Sequence, residues 1–250
     1  MLGMLDVVAA WELDAALEAP QRQLLRSKAI TRIEAGDASV VIGPRGAGKT
    51  AASRFILAES AGRRPAARIA MKDAFMAALR PLADARESER ASASARYLML
   101  LAAFEAAVSE KLLQGGQIRA LAREFAVALE PGLADALPLA FNKAVLYEIF
   151  GESGAIELKR GEIVARIMTL EHEMANALGG HQAMVLFDEA ADRSVVAGAL
   201  DDLRLDALSV LLRGVGDLIQ GPTRDRIPPV IFTRPGLFAR LPQSERERWR

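Results

Sequence analysis

The chain has no cysteine among its 250 residues. Disulfides, thiolate nucleophiles and cysteine-based metal sites are therefore excluded. The absence is compatible with a cytoplasmic protein, which is the expected location. An excess of either charge is also missing, with Lys plus Arg and Asp plus Glu at 32 each. Net charge thus gives no reason to expect a nucleic acid or a membrane as partner. Long apolar runs are scarce. The most apolar stretch, Tyr97–Phe104, is followed by Glu105 and is far too short to span a bilayer. Asp6 and Glu12 sit close to the first apolar residues, and no basic start precedes them, which is not a signal-peptide pattern. The two histidines, His172 and His181, fit no metal-ligand spacing. Trp11 and Trp249 read as packing or interface residues, and no Ser-His-Asp arrangement stands out.

What is present suits one large α/β domain, with or without a helical insert. Hydrophobic residues make up 51% and charged residues 26%, enough to build a sizeable core. Residues 11–34 read as a helix, with Leu13, Leu17, Leu24 and Ile30 among polar positions and Gly36-Asp37 as its stop. Ser39–Ile42 is a short β-branched run bounded by turn residues, the pattern of a buried strand. A helix is expected from Thr50 to about Ala61, and a weakly marked strand over Ala67–Met71. From Ala74 to Phe150 the residues are rich in Ala and Leu, with breaks near Pro81, Gly115-Gly116 and Pro131-Gly132. That is too long for a simple strand-to-strand connection. The expectation is a helical insert over about 74–180, its helices packing on one another, inside a single domain spanning 1–250. Ile156–Leu178 and Leu203–Ile219 read as helices, Ala183–Phe187 and Val230–Thr233 as strands, and Leu237–Leu241 as a short helix or turn. Helices alternate with parallel-type strands at both ends, which argues for a mostly parallel sheet.

The loop between the first strand and the helix after it carries the strongest signal. Gly43-Pro44-Arg45-Gly46-Ala47-Gly48-Lys49-Thr50 fits G-x-x-x-x-G-K-[ST] at every fixed position. A chance match in a chain this long arises about one per cent of the time at average residue frequencies. Glycines let backbone N–H groups converge on an anion, and the following helix adds its N-terminal dipole. The Lys49 ammonium suits phosphate oxygens, and the Thr50 hydroxyl suits Mg²⁺. Ala51, next along the helix, completes the expected nucleotide-contacting set. The competing explanation is a glycine-rich turn with an incidental lysine.

A second signal is Met184-Val185-Leu186-Phe187-Asp188-Glu189, an apolar strand ending in two carboxylates. Strand ends are where a parallel sheet places ligands. Asp188 suits a metal held through water, and Glu189 suits orienting an attacking water. Helix capping explains such a pair equally well when it stands alone. Asp192 is a nearby acid that reads better as a cap or surface group.

Together these segments resemble the Walker A and Walker B motifs of the P-loop ATPase division that contains the AAA+ and STAND proteins. The resemblance implies a three-layer α/β P-loop fold. It implies a further strand between the P-loop strand and the Walker B strand. Val230-Ile231-Phe232-Thr233-Arg234 resembles that strand, and its Thr-Arg pair is similar to the STAND pattern. By resemblance, Arg234 would sense the γ-phosphate beside Lys49 and Glu189, with Thr50 and Asp188 positioning Mg²⁺. The implied activity is Mg-dependent ATP binding and hydrolysis, with ATP and ADP as ligands. The adenine is expected near Ile30–Asp37. The resemblance covers roughly 28–60 and 183–241. No fifth core strand, lid or winged helix is legible after Arg234. The expectation is that a lid or output domain is absent and that a second copy or a partner protein completes the site. Arg63, Arg64, Arg213, Arg224 and Arg226 are candidates for an arginine finger, each more ordinary as a surface residue.

Four alternatives frame this reading. A GTPase would need Asn-Lys-x-Asp, and Asn142-Lys143-Ala144-Val145 lacks the Asp. A STAND-like switch would use the nucleotide to control assembly with little turnover. A DNA-engaged ATPase would suit the arginines of 224–250, yet no basic motif interleaved with aromatics is present, and Asp225, Glu245 and Glu247 make a solvated face the simpler explanation. A small-molecule kinase also has a P-loop, but usually without the strand-end acidic pair.

Overall fold

The computed structural model describes residues 28–71, 88–128, 160–189 and 197–249, together with 76, 79, 80 and 83. The expectations for 11–27, for the break at Pro131-Gly132 and for Asp192 lie outside these residues. The described chain is α/β. Its strands are β1 (Val40–Ile42), β2 (Ala66–Ala70), β3 (Met184–Asp188) and β4 (Pro229–Thr233). Its helices are α1 (Lys28–Glu34), α2 (Lys49–Ser60), α3 (Ser88–Ser109), α4 (Gly115–Ala128), α5 (Arg160–Leu178), α6 (Ala197–Leu218), α7 (Pro235–Arg240) and α8 (Gln243–Glu247).

The four strands form one parallel sheet in the order β1-β4-β3-β2. β4 therefore lies between β1 and β3, with Val41 opposite Phe232 and Phe187 opposite Ile231. β3 and β4 are central and buried along their whole lengths. A strand covered on both faces has no need of polar alternation, which is why Met-Val-Leu-Phe reads as a continuous apolar run. The pleat sends alternate side chains to opposite faces. Met184, Leu186, Val230 and Phe232 join Ile30, Ile33 and Ile56 of α1 and α2 on one face. Val185, Phe187 and Ile231 join a larger core with α3, α5 and α6 on the other. Helices thus cover both faces of the sheet. Among the described residues no strand pairs with the outer edge of β1, where Ile42 is 45% exposed.

The helices of the 74–180 stretch pack on one another, and α3 also lies against β2 and β3. Every residue from Ala91 to Phe104 is buried, so α3 has no solvent face over that stretch. A helix apolar all round is either a buried core helix or a membrane span. The segment Ala91–Ser109 has 19 residues and a mean hydropathy of 1.2, which meets the length and composition of a span better than the shorter run read from sequence. Here 89% of it is enclosed by the rest of the protein, the setting of a core helix. Tyr97 donates to the Phe125 carbonyl at 3.0 Å and meets its ring edge-on, which joins α3 to α4.

The break expected near Gly115-Gly116 lies between α3 and α4: α3 ends at Ser109, Lys111 adopts φ 56°, and α4 begins at Gly115. The Gln117 side chain accepts from the Gln114 amide at 2.9 Å. This is half of a capping box and lets the first turn start on glycine.

Candidate functional site

The 43–48 loop leaves β1 and turns into α2. Gly43 is buried and donates its N–H to the Thr233 carbonyl at 3.1 Å, which ties the loop to the end of β4. Gly46 and Gly48 take φ of 77° and 76°, the left-handed region that other residues enter only at a cost. Gly48 is the N-cap of α2, and its carbonyl accepts from Ala52 at 2.7 Å. Ala47 donates to the Pro44 carbonyl at 3.3 Å, closing the loop's first turn. Ala51 is half-buried in the first turn of α2. The Lys49 ammonium folds back and donates to the carbonyls of Gly43 at 2.7 Å and Pro44 at 2.8 Å. Burial lowers its pKa. Glu189 opposes that shift, Arg234 reinforces it and Asp188 opposes it.

α2 and β3 meet at Asp188. Thr50 donates to Asp188 Oδ1 at 3.2 Å across 138 positions of sequence. One turn on, Ser53 lies 3.0 Å from Oδ2. From β2, Arg68 forms an ion pair with the same Oδ2 at 2.5 Å, and its Nε donates to Ser53 at 2.9 Å. Asp188 itself is 0% exposed. The two residues expected to hold a cation are thus brought together, and both offer hard oxygen atoms. Among the described residues no three acidic or histidine side chains cluster as a metal site. A divalent cation at Thr50 and Asp188 would therefore complete its shell with phosphate oxygens and water, as Mg²⁺ habitually does. The donor set fits that ion.

Glu189 follows the strand and is also buried. Arg234, immediately after β4, donates from Nε to Glu189 Oε1 at 2.8 Å. Arg204 of α6 approaches the same oxygen at 3.4 Å. Asp201, one turn before Arg204, holds Arg204 at 3.3 Å and Arg234 at 3.4 Å. Glu189 Oε2 is buried and has no hydrogen-bond partner among the described residues. Beside this network a cavity of about 520 Å³ opens between the loop and α7, lined in part by Pro44, Arg45, Asp201, Arg234 and Arg240.

Comparison with protein-family models, curated proteins and solved structures yields no match. The site must be read from its own geometry.

The expected loop residues, Asp188, Glu189 and Arg234 converge at the ends of β1, β3 and β4. Within the segment Ile30–Asp37, expected near the adenine, Ile30 and Ile33 are buried in the core against Ile56. Of the arginine-finger candidates, Arg63 pairs with Glu59 at 3.9 Å, Arg64 donates to the Glu34 carbonyl at 2.7 Å, and Arg213 holds Glu245 at 3.0 Å. Arg224 is exposed and Arg226 half-buried. Sequence reasoning passed over Ser53, Arg68, Asp201 and Arg204. Arg68 did leave a trace, as the one charged residue in β2. Ser53 left another, standing one turn beyond Thr50 on the same helical face.

Proposed function

We propose that this chain binds Mg-ATP at Gly43–Thr50 and hydrolyses it, as a P-loop ATPase of the additional-strand type. The reading rests on one contact above others, that of Thr50 with Asp188 at 3.2 Å. The two motifs are 138 residues apart, yet their expected cation ligands touch. The position of β4 between β1 and β3 supports the same reading, because the resemblance requires a strand there.

Lys49 exchanges the Gly43 and Pro44 carbonyls for phosphate oxygens and neutralises their charge. Loop amides and the α2 N-terminus add fixed positive potential without reorganisation. Mg²⁺ when bound adds electrostatic neutralisation of the phosphates, and Thr50 and Asp188 are the residues that would hold it. The open acceptor of Glu189, Oε2, receives a hydrogen bond from the attacking water. The water oxygen bonds to the γ-phosphorus as the bond to the β,γ-bridging oxygen breaks, its proton passes to Glu189 Oε2, and the electron pair leaves with ADP. Arg234 lies where it can release Glu189 for the γ-phosphate.

The pairing of Glu189 with two arginines favours a second reading, a nucleotide-dependent switch with slow turnover. In that reading the carboxylate is held until phosphate draws Arg234 away. Calorimetric titration with Mg-ATP tests the proposal. Lys49→Ala should weaken binding at least about tenfold, or about 1.4 kcal/mol. Tight binding that survives this substitution unchanged would sink the reading.

A further inference from the structure

We infer that Arg68 is the resident cation of the Asp188 carboxylate and makes nucleotide binding at this loop only weakly dependent on divalent metal. The inference rests on the nucleotide reading above and concerns how that site is tuned.

The parallel register sets Arg68 opposite Leu186, and Ala70 opposite Asp188, so the arginine starts one pleat repeat below the carboxylate. Its guanidinium reaches up to Asp188 Oδ2 while Nε holds Ser53, and Ser53 in turn lies against the same Oδ2. Arg68, Ser53 and the Oδ2 oxygen thus close a triangle of three contacts. The other oxygen, Oδ1, meets the Thr50 hydroxyl. Oδ2 is thus committed to the protein, and Oδ1 is the atom left to face a cation's water.

The charge balance follows from this geometry. Asp188 is 0% exposed and Arg68 17%, so little water screens the pair. An unpaired carboxylate at that depth would be costly, and Arg68 compensates it before any ion arrives. A dication approaching Thr50 then meets a neutral pair instead of an anion, and the guanidinium repels it at short range. Arginine cannot vacate this role by losing its proton, whereas a buried lysine can. Phosphate binding therefore leans on Lys49 and the loop amides more than on metal held by Asp188.

The experiment is calorimetric titration of ATP into the wild-type protein, once with Mg²⁺ and once with excess EDTA. The expected ratio of the two dissociation constants is below about tenfold. A larger ratio overturns the inference and leaves the nucleotide reading intact. Arg68→Gln should raise that ratio by about tenfold or more. A folded Arg68→Gln protein with the wild-type ratio also overturns it. Should that variant not fold, the wild-type ratio decides alone. No binding of ATP in either buffer overturns the nucleotide reading, and this inference with it.

Discussion

Two carboxylates side by side in sequence have different surroundings, and each difference is set by single residues. Asp188 is gripped by Thr50 and Ser53 from α2 and by Arg68 from β2. Glu189 is held on one oxygen by Arg234 and Arg204, while its other oxygen is buried without a hydrogen-bond partner among the described residues. Under the ATPase reading that unpartnered oxygen is the functional atom. Glu189→Gln preserves shape but removes the charge that both guanidiniums share. Steady-state phosphate release should fall at least about a hundredfold, within the range typical of a lost general acid–base group. ATP affinity should stay within about threefold, because no phosphate contact is removed. Measuring both separates a chemical role from a binding role. A variant that still releases phosphate at the wild-type rate would remove Glu189 from the mechanism.

Elements explain what single residues cannot, above all how α3 comes to lie buried against the sheet. It crosses α6 so closely that a Cβ on Gly214 would stand 2.4 Å from the Ala95 Cβ and 3.2 Å from its carbonyl carbon. Neither neighbour can swing aside, so Gly214→Ala must push the helices apart. The expected loss is about 1–3 kcal/mol in a urea melt, the usual cost of overpacking a core. An unchanged midpoint would mean that the crossing is looser than its geometry. The same layer holds the buried pair of Arg96 on α3 and Glu171 on α5, 3.0 Å apart. Burial raises the Glu171 carboxyl above its ordinary value, and Arg96 opposes the rise. A carboxyl raised in the folded state contributes stability fully below its unfolded pKa, and loses it as pH climbs through the folded one. Arg96→Met leaves the carboxylate uncompensated, which should cost about 3–5 kcal/mol at neutral pH. Because the proton neutralises Glu171, the deficit should shrink as pH falls toward the ordinary carboxylate range. Melts at about pH 5 and about pH 8 read this directly, and an equal deficit at both would show that Glu171 does not carry it.

At the scale of the whole molecule, legibility in the sequence followed the range of the interactions. The loop Gly43–Thr50 was readable because its chemistry is local, with glycines, lysine and threonine at fixed spacing. β3 was readable because burial on both faces leaves an unbroken apolar run. β2 was only weakly marked, since Ala66–Ala70 draws its strand character from pairing with β3 more than 110 positions away. For the same reason the role of Arg68 was hidden, as it depends on that register. The sheet order could be anticipated only through the resemblance, since nothing local to β4 says which strands flank it.

That order also shapes the choice between an ATPase and a switch. β1, β4 and β3 end together, so one event at the Gly43–Thr50 loop can reach Thr233, Arg234, Asp188 and Glu189 at once. Arg234 then links this line to α6 through Asp201 and stands on the rim of the cavity beside α7. A γ-phosphate that takes Arg234 from Glu189 would loosen Asp201 as well, and so alter a surface as well as a catalytic group. A ligand can shift such an equilibrium only by its differential affinity for the two arrangements. ATP and ADP differ at the γ-phosphate alone, so any switch must appear as a difference between these two ligands. Light scattering on the whole chain with Mg-ATP, Mg-ADP and no nucleotide measures it. If the switch reading holds, the ATP form should change mass at least twofold relative to the ADP form, with turnover below about one per minute, far under the usual enzymatic range. Glu189→Gln should then keep the ATP-form mass for longer, since the ligand persists. Equal masses in all three states, together with steady turnover, would instead favour the hydrolase, with the Arg234–Glu189 pair as a resting contact broken once in each cycle.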